Sequence, residues 1–530
     1  MHQSEAMLSV EIGISKRKVA GRIDIVERVF HVSAVRSHFR SESYIRIAVM
    51  NRLANFGEKI QGRRSKGAFV SEFVQKSVMP VSAEELLAWH SRPGAFERLL
   101  PPWENIEIIR PAAALTGGAK AILAVRIGPF RKQWIAQHDA LKDGIGFQDV
   151  QVSGPFAKWE HTHRMTPIDA ETSSLEDRIQ YDIPLGWLGR LLAGASIKRS
   201  LVRTFAYRHR VTLADLTAHR DARKRQTQGN ESMKILVTGA TGLVGSAVAA
   251  FLTTGGHRVL RLVRGKARNE DDVVWDPAAE TIDAAKLEGL DAVVHLAGEN
   301  IATGRWNAAK KAKIRDSRVN GTRFLSNTLA KLTNKPRTFV CASAIGFYGD
   351  RGDEIMTESS PPGTSFLCQV CRDWEAAAES SRQAGIRVVH LRIGVVLTPH
   401  GGALEKMLLP FKLCAGGVIG NGKQYMSWIA LDDVVGTIHH ALTCESLSGS
   451  VNAVAPDAVT NRAFTKSLGS VLHRPTIFPM PAFAARLAFG EMGDELLLAS
   501  TRVTPQRLLE SGYQFRCPKL DGALRHLLGK

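Results

Sequence analysis

The feature that most constrains this 530-residue chain is a glycine-rich turn set between apolar strands. Residues 234–264, KILVTGATGLVGSAVAAFLTTGGHRVLRLVR, read as strand, turn, helix and second strand, with glycines at Gly239, Gly242 and Gly245. The first glycine permits the tight turn, the second lets a pyrophosphate approach the backbone, and the third lets the helix pack closely. Because phosphate binds the free N–H groups at a helix N-terminus, the segment predicts a dinucleotide-binding domain.

The end of the second strand indicates which dinucleotide binds. An acidic residue there would bind the adenosine ribose 2′-hydroxyl and select NAD. This chain has Arg264 instead, with Arg261 and Lys266 nearby, and a guanidinium suits a 2′-phosphate. The sequence therefore predicts NADP(H), although a solvated surface arginine is the alternative for Arg264. The predicted contacts from this part of the chain are Thr238, Gly239, Thr241, Gly242, Leu243, Val244, Gly245 and Arg264.

Composition excludes several other classes of protein. Hydrophobic residues make up 44% and charged residues 23% of the chain, as in ordinary globular domains, and no apolar run or signal pattern predicts membrane insertion or export. Six irregularly spaced cysteines favour a reducing, cytoplasmic setting. The net charge of +19 is spread along the chain without a nucleic-acid-binding motif. We therefore expect no nucleic-acid or membrane partner, and the oligomeric state stays open.

The chain before the glycine turn divides into three parts. Residues 1–67 are basic and weakly periodic, which predicts a poorly ordered extension. Residues 68–216 begin with a strand and two short helices, continue as strand-like runs, and end in a long helix over about Gly189–Leu216. Ser82 and Glu85 form a capping box at the first helix. This order predicts an α+β unit, a curved sheet wrapped over a helix, and residues 217–232 read as a charged linker.

The phrases PVSAEELLAWHSRPGAFERLLPPWE and VSGPFAKWEHTHRM within residues 68–216 resemble a known superfamily. They are similar to the START-like (SRPBCC, or Bet v 1-like) domains that precede a reductase-like domain. The resemblance implies a helix-grip fold and an apolar ligand in its cavity, and it carries over no catalytic residues. His161 and His163 alternate on one strand and read as a polar strand face, so we expect no metal site.

Residues 233–530 resemble a second family. The Gly-x-x-Gly-x-x-Gly spacing, SAIGFYGDRGDE, CRDWEAAA, LRIGVVLTPHGGAL and MSWIALDDVV are similar to the "epimerase family protein" group of atypical extended short-chain dehydrogenases, related to nucleoside-diphosphate-sugar epimerases. The resemblance implies a Rossmann-type doubly wound parallel sheet with a small C-terminal substrate lobe, including a family-specific segment over about 475–525. It further implies cofactor contacts at Asp276, Leu296, Ala297, Gly298, Asn320 and Arg392, and an active-site serine at Ser343.

One part of that superfamily's pattern is missing. Its enzymes normally use Tyr-x-x-x-Lys on one helix face, where the lysine lowers the pKa of a proton-shuttling tyrosine. None of the six tyrosines here has a lysine four residues later. The corresponding helix, residues 365–381, offers Gln369, Arg372, Asp373 and Glu375. The nearest hydroxyls in sequence belong to Ser343 and Tyr348. Ser343, Tyr348 and Arg372 are therefore the candidate catalytic residues, with Tyr348 alternatively a packed aromatic.

Two functions follow from these patterns. The first is an NADP(H)-dependent oxidoreductase or epimerase-like protein that acts on a small-molecule substrate, with a fused domain that binds an apolar ligand. The second is a non-catalytic sensor that binds NADP(H) and couples the cofactor to the START-like cavity. The missing Tyr-x-x-x-Lys favours the second, and the intact cofactor pattern favours the first.

Overall fold

A computed structural model describes residues 70–127, 130–225 and 232–530. The predicted extension, residues 1–67, lies outside the described residues. The N-terminal domain consists of a sheet with helices on one side. Its elements are β1 (Ser71–Met79), α1 (Ala83–Ser91), α2 (Ala95–Leu99), β2 (Ile106–Arg110), β3 (Ala119–Ile127), β4 (Phe130–Ala140), β5 (Ile145–Ser153), β6 (Lys158–Pro167), β7 (Ser173–Asp182) and α3 (Gly186–Arg225).

The N-terminal sheet is entirely antiparallel, in the order β1-β7-β6-β5-β4-β3-β2. The strand β1 pairs with β7 over its whole length, from Ser71 opposite Tyr181 onward, so the first and last described strands of this domain are neighbours. The amide of Glu85 donates to the Ser82 hydroxyl at the start of α1 (3.3 Å), as the capping box predicts. The long helix α3 packs against β1. The predicted antiparallel sheet and terminal helix are therefore present.

The helix α3 is longer than the sequence predicts. It continues to Arg225, so the interpretation of 217–232 as a linker is wrong over its first part, and residues 226–231 lie outside the described residues. His219 and Ala222 are buried, and the ring of His219 packs on that of Phe251 in the next domain (centroids 4.3 Å). A polar helix without apolar periodicity is stabilised here by tertiary contact, which local sequence does not reveal.

Residues 233–530 form a doubly wound α/β domain with a C-terminal lobe. In chain order its elements are β8 (Lys234–Thr238), α4 (Leu243–Thr254), β9 (Arg258–Val263), β10 (Asp272–Asp276), β11 (Thr281–Ile282), β12 (Ala292–His295), α5 (Ala308–Lys331), β13 (Thr338–Ala344), β14 (Ile355–Met356), α6 (Phe366–Ala376), α7 (Glu379–Gln383), β15 (Arg387–Ile393), β16 (Val395–Thr398), α8 (Gly402–Lys412), β17 (Tyr425–Met426), β18 (Trp428–Ala430), α9 (Leu431–Thr443), β19 (Gly449–Ala453), β20 (Val459–Thr460), α10 (Asn461–Leu472), α11 (Ala482–Phe489), α12 (Glu491–Gly493), β21 (Arg502–Val503), α13 (Gln506–Glu510) and α14 (Leu520–Leu528).

The main sheet has the strand order β11-β10-β9-β8-β12-β13-β15-β19. All neighbours are parallel except β11, which pairs antiparallel with β10. One face packs on α4 and α9 and the other on α5 and α6, each through its own buried apolar cluster. A third cluster joins α8, α10 and α14 in the C-terminal lobe. The Rossmann-type prediction is confirmed, and the strand order reverses between β8 and β12, where such folds bind their ligands.

The two domains pack together through α2 and α3 on one side and α4 and α9 on the other. The chain turns into α2 at Gly94 with φ +91°, and a Cβ on this residue would lie 2.5 Å from the carbonyl oxygen of Ala250. Thr253 donates to the carbonyl of Pro93 (2.5 Å), and Arg92 donates to that of Thr254 (2.9 Å). Helices in the described ranges are all too short or too polar to cross a membrane.

Candidate cofactor and active site

The glycine turn has the geometry that each glycine was expected to permit. Gly239 has φ +68°, and a Cβ on it would lie 3.0 Å from the backbone of Leu296. A Cβ on Gly245 would lie 2.1 Å from the carbonyl oxygen of Gly239, so only glycine lets α4 approach the turn. Gly242 caps α4, and no side chain binds the helix's first N–H groups. These groups are available to a phosphate.

Thr238 connects this turn to the next strand instead of facing a ligand. Its hydroxyl is fully buried and accepts the amides of Leu296 (3.0 Å) and Ala297 (3.1 Å). It also bonds to Nδ1 of His295 (2.7 Å), and Nε2 of His295 lies 3.0 Å from the Thr322 hydroxyl. These bonds occupy the hydroxyl, and the predicted cofactor contact at Thr238 stays a prediction. Thr241 is exposed, and Leu243 and Val244 are half-buried at the start of α4.

The charged residues predicted to lie near the adenosine differ in their exposure and in their hydrogen-bond partners. Arg264 is exposed directly after β9, whereas Arg261 bonds to Asp272 (2.8 Å). The carboxylate of Asp276 accepts the amides of Ala278 (2.9 Å) and Ala279 (3.2 Å) and so caps its own turn. Of Arg261 and Arg264, Arg264 is the one that forms no salt bridge with a carboxylate among the described residues, and it is therefore available to a 2′-phosphate.

Asn320 is exposed on α5 and accepts a bond from Arg323 (3.3 Å) one turn later. Its neighbours Val319 and Gly321 belong to the buried face of the helix. The predicted cofactor contact at Asn320 stays a prediction. Leu296 and Ala297 are half-buried and Gly298 is exposed, directly after β12.

Three elements bring a serine, a carboxylate and an arginine together. Ser343 on β13 donates to Oε1 of Glu375 on α6 (2.7 Å). Arg392 on β15 donates to both carboxylate oxygens of Glu375, each at 2.9 Å. Ser343 and Arg392 are paired across neighbouring strands and are both buried. Arg392 therefore binds the carboxylate of Glu375 through two parallel hydrogen bonds, and its predicted contact with the cofactor stays a prediction.

The charges fix how protons are arranged in this cluster. Burial raises the pKa of Glu375, but the bonds and charge of Arg392 and the bond from Ser343 hold it below its ordinary value. The carboxylate is therefore ionised at neutral pH and can only accept. A serine hydroxyl has one proton, and that proton is committed to Glu375. Ser343 is thus poised to accept a proton from a ligand and to pass its own to the carboxylate.

Tyr348 and Arg372 do not serve as a tyrosine–lysine pair. Tyr348 is fully buried, donates to Oδ1 of Asn452 (2.7 Å) and accepts from Arg392 (3.0 Å). Burial raises its pKa, so the alternative of a packed aromatic describes it better. Arg372 is exposed on α6 and stays outside the cluster. The residue that this helix directs to the serine is Glu375, three positions further on, which is nearly one helical turn.

Arg318 is a residue that sequence reasoning missed. It lies half-buried on α5 and donates to the carbonyls of Glu299 (3.0 Å) and Ile314 (3.1 Å). Its guanidinium lies over the ring of Trp374 (5.1 Å) and 3.3 Å from where a Cβ on Gly298 would be. Burial lowers its pKa. No carboxylate among the described residues forms an ion pair with it, so a half-buried cation lies beside the second glycine-containing turn.

The interior of the N-terminal domain holds a buried ion cluster. His161 lies between Asp149 (Nδ1, 2.9 Å) and Asp177 (Nε2, 3.1 Å), and His209 on α3 contacts Asp177 as well (2.8 Å). Burial lowers the pKa of His161, but the two carboxylates raise it to about 9. His163 lies 2.6 Å from Asp177. The histidine pair is therefore not an exposed polar strand face but part of a charged core between sheet and helix.

A parallel sheet with a glycine turn at its point of reversal, and a buried serine on the strand beyond, defines a Rossmann-type domain of the short-chain dehydrogenase class. Residues 235–454 match the family model "NAD dependent epimerase/dehydratase family", and residues 480–527 match "Domain of unknown function (DUF1731)". The second match lies close to the predicted family-specific segment.

Comparisons with individual relatives agree with these family matches. "Epimerase family protein Mb2239" of Mycobacterium bovis is 42% identical over 290 residues, 55% of this chain and 96% of that protein. "Epimerase family protein SDR39U1" of Homo sapiens is 36% identical over 299 residues, 56% of this chain and 100% of that protein. The chain therefore belongs to the NAD-dependent epimerase/dehydratase family.

Two solved structures are similar to the chain over different lengths. The nucleoside-diphosphate sugar epimerase from Corynebacterium glutamicum has a TM-score of 0.70 at 34% identity and covers 86% of this chain and 90% of its own. Human SDR39U1 (isoform 2), solved with NADPH, has a TM-score of 0.52 at 34% identity and covers 56% of this chain and 99% of its own. The first match extends well beyond the Rossmann-type domain, so the N-terminal domain is not peculiar to this chain.

Proposed function

We propose that this protein is an NADP(H)-dependent oxidoreductase or epimerase-like enzyme in which Ser343 and Glu375 replace the missing tyrosine–lysine pair. The observation that carries the proposal is the 2.7 Å bond from the serine to a carboxylate that Arg392 grips through both oxygens. Three elements converge to hold that arrangement in a buried position. A purely structural ion pair between Glu375 and Arg392 would not require a serine at the predicted active-site position.

NADP(H) is the cofactor. The glycine turn supports pyrophosphate binding at α4, since Gly242 caps the helix and leaves its first N–H groups without a side-chain partner. In the proposal, Arg264 receives the 2′-phosphate, and Leu296 to Gly298 line the adenosine side. Arg318 adds a cation beside that turn. When bound, the nicotinamide supplies or accepts the hydride.

The protein's own contribution is to move a proton. A substrate hydroxyl gives its proton to Ser343 Oγ while Ser343 passes its proton to Glu375, and reduction of a carbonyl runs the same path in reverse. Because Arg392 lowers the pKa of Glu375, the carboxylate holds that proton only briefly. The Tyr348 hydroxyl accepts a hydrogen bond from Arg392 (3.0 Å) and so helps to position that guanidinium. We propose a small secondary alcohol or its ketone as the substrate class, for which a nucleoside-diphosphate sugar is one candidate suggested by the C. glutamicum relative.

The N-terminal domain, residues 68–225, is proposed to be START-like. Its seven antiparallel strands and long C-terminal helix support the helix-grip assignment. A ligand between sheet and helix would meet Phe205 and Trp159, but also the charged imidazole of His161. We therefore propose an amphipathic ligand with an oxygen-bearing end in place of a wholly apolar one. The sensor alternative remains a second candidate, favoured by the close packing of this domain on α4.

The test is turnover measured separately from cofactor binding. The purified full chain should quench NADPH fluorescence and oxidise NADPH with at least one member of a panel of ketones and nucleotide sugars. Ser343→Ala and Glu375→Gln should keep NADPH affinity and lose at least about 100-fold in kcat. Glu379→Gln, on a half-buried carboxylate of α7 that pairs with Arg382, is the matched control and should be unchanged. Tight NADPH binding without turnover on any compound would favour the sensor.

A further inference from the structure

Three histidines meet where the N-terminal domain docks on the Rossmann-type domain. His219 lies on α3, His257 directly precedes β9, and His439 lies on α9. One ring nitrogen from each lies within 4.8 Å of the others. Together with Gly255 and Arg223 they line a cavity of about 10 Å³. Since His219 belongs to the N-terminal domain, the cluster is assembled only when the two domains pack.

Two of these rings have a buried nitrogen without a hydrogen-bond partner. Nε2 of His219 faces the hydroxyl of Thr254 (3.4 Å), whose own proton goes to the carbonyl of Phe251 (2.7 Å). Nε2 therefore carries the proton, and Nδ1 of His219 has the lone pair. That Nδ1 and Nε2 of His439 are both buried and without a hydrogen-bond partner. Each orphaned polar atom costs about 1–3 kcal/mol, so two beside one cavity point to an occupant.

The residues around the cavity leave room beside the histidine nitrogens and set the local electrostatic potential. A Cβ on Gly255 would lie 2.7 Å from Nδ1 of His219, so a larger residue would block that nitrogen. Two nearby cations, Arg92 and Arg223, share the carboxylate of Glu85, each at 3.0 Å. Their charge is thereby partly neutralised. Nδ1 of His257 accepts the amide of Met233 (3.1 Å), so this ring contributes either after that bond yields or through Nε2 with loss of its proton.

We propose that His219, His257 and His439 form a binding site for a divalent transition-metal ion of the Zn²⁺ type. Imidazole nitrogens are ordinary ligands of Zn²⁺ at about 2.0–2.1 Å, and three of them leave a fourth position for water. The rings need to close by about an ångström or two to reach that distance. Since His219 comes from one domain and the other two from the second, the ion ties the domains together.

The competing occupant is a single water molecule. It could donate to the two free nitrogens and accept from His257, and the cavity has the size of one water. Metal and water predict different behaviour. A metal binds with a stoichiometry, responds to chelators and stabilises the docked state by linkage, whereas a water does none of these.

The experiment uses the purified full chain, stripped with a chelator and titrated with Zn²⁺ against a chromophoric chelator, and separately with Co²⁺. We expect one equivalent bound, visible bands of four- or five-coordinate Co²⁺, and a higher Tm with Zn²⁺. His219→Gln and His439→Gln should each weaken binding by more than the about 10–100-fold that losing an outer-sphere partner costs. His440→Gln is the matched control, because its ring lies next in sequence but bonds to Ser511 (2.9 Å). It should bind metal like the wild type.

NADPH binding, measured on every variant, shows that the fold is intact, and His257→Gln replaces either variant that does not fold. Zn²⁺ that binds equally to all variants would be adventitious and would overturn the proposal. Wild-type protein that binds no metal, with the pale spectrum of aqueous Co²⁺, would assign the cavity to water. Neither result bears on the proposed reaction, because Ser343 and Glu375 are tested by turnover.

Discussion

At the scale of single residues, Arg264 should decide which nicotinamide cofactor binds. We expect Arg264→Asp to weaken NADPH by about 10–100-fold, because a charge-assisted bond to a phosphate is worth about 1.5–3 kcal/mol. NADH lacks that phosphate, so its affinity should change little. Fluorescence titration with both dinucleotides measures the difference. Arg258→Asp, at the opposite end of β9 and paired with Asp271, is the control; equal losses for both cofactors would contradict the assignment.

Replacing Arg318 should weaken NADPH binding without destabilising the fold. A half-buried guanidinium that forms no ion pair within the described part of the chain destabilises the fold, so Arg318→Met should be neutral or raise the free energy of unfolding. The same change should weaken NADPH by about tenfold or more, because a cation beside Gly298 is lost. Urea denaturation and NADPH titration give the two quantities. Arg323→Met, exposed on the same helix, should alter neither, and a stability loss without an affinity loss would make Arg318 structural.

Sequence reasoning at this scale succeeded where backbone geometry decides and failed where contacts between separate elements decide. Gly239 and Gly245 were identified because no other residue fits their positions. Ser343 was identified because its strand resembles the one that carries the family's active-site serine. Arg372 was chosen over Glu375 because its charge matched the missing lysine, yet Glu375, nearly one helical turn further on, is the residue that bonds to Ser343. The partner of Glu375, Arg392, comes from another strand, which spacing along the chain cannot show.

At the scale of elements, the contact between α4 and the glycine turn is the tightest in the cofactor site. Gly245→Ala places a Cβ 2.1 Å from the carbonyl oxygen of Gly239, so α4 must move away from the turn. We expect a loss of about 1–3 kcal/mol in unfolding free energy and weakened NADPH binding. Gly265→Ala, with nothing within 4 Å of its Cβ, should leave both unchanged. Wild-type affinity in Gly245→Ala would show that the turn is not the pyrophosphate site.

His295 on β12 forms hydrogen bonds with Thr238 of β8 and Thr322 of α5. This buried imidazole should make the free energy of unfolding depend on pH. Burial lowers the pKa of His295 to about 4, against an unfolded value of about 6.5. The folded state thus resists protonation, and its full contribution is present above about pH 6.5 and lost as the pH falls towards 4, up to about 3 kcal/mol. Urea denaturation at about pH 7.5 and about pH 5 should show a smaller difference for His295→Asn than for the wild type. His473→Asn, on an exposed residue, should keep the wild-type difference.

Elements were predictable to the extent that local pattern governs them. The strand–turn–helix from Lys234 to Thr254 and the capping box at Ser82 depend on neighbours in the chain. The last two turns of α3 do not, because HRDARKR has no apolar stripe of its own. His219 is buried by residues of another domain, among them Phe251 and His439. A segment that folds through such a contact reads as linker in isolation.

At the scale of the whole molecule, the two domains share one buried ion cluster. Arg98 on α2 donates to both oxygens of Asp215 on α3 (2.8 and 2.9 Å) and to Asp432 on α9 (2.9 Å). Arg516 bonds to Asp215 as well (2.8 Å). Asp215 is fully buried and belongs to the N-terminal domain, whereas Asp432 and Arg516 belong to the second. The cluster therefore favours one docked arrangement over others.

Asp215→Asn tests that coupling. Removing the carboxylate leaves Arg98 and Arg516 buried with Asp432 as their remaining acid, and breaking a buried pair in this way costs about 3–5 kcal/mol. Because the cost falls on the junction, we expect the single unfolding transition to separate into two, followed by tryptophan fluorescence and far-ultraviolet circular dichroism in urea. Asp221→Asn is the matched control on the same helix, where the exposed pair with Arg220 is worth at most about 1 kcal/mol. If Asp215→Asn proved as mild as Asp221→Asn, the apolar contacts of α4, and not the ion cluster, would hold the domains together.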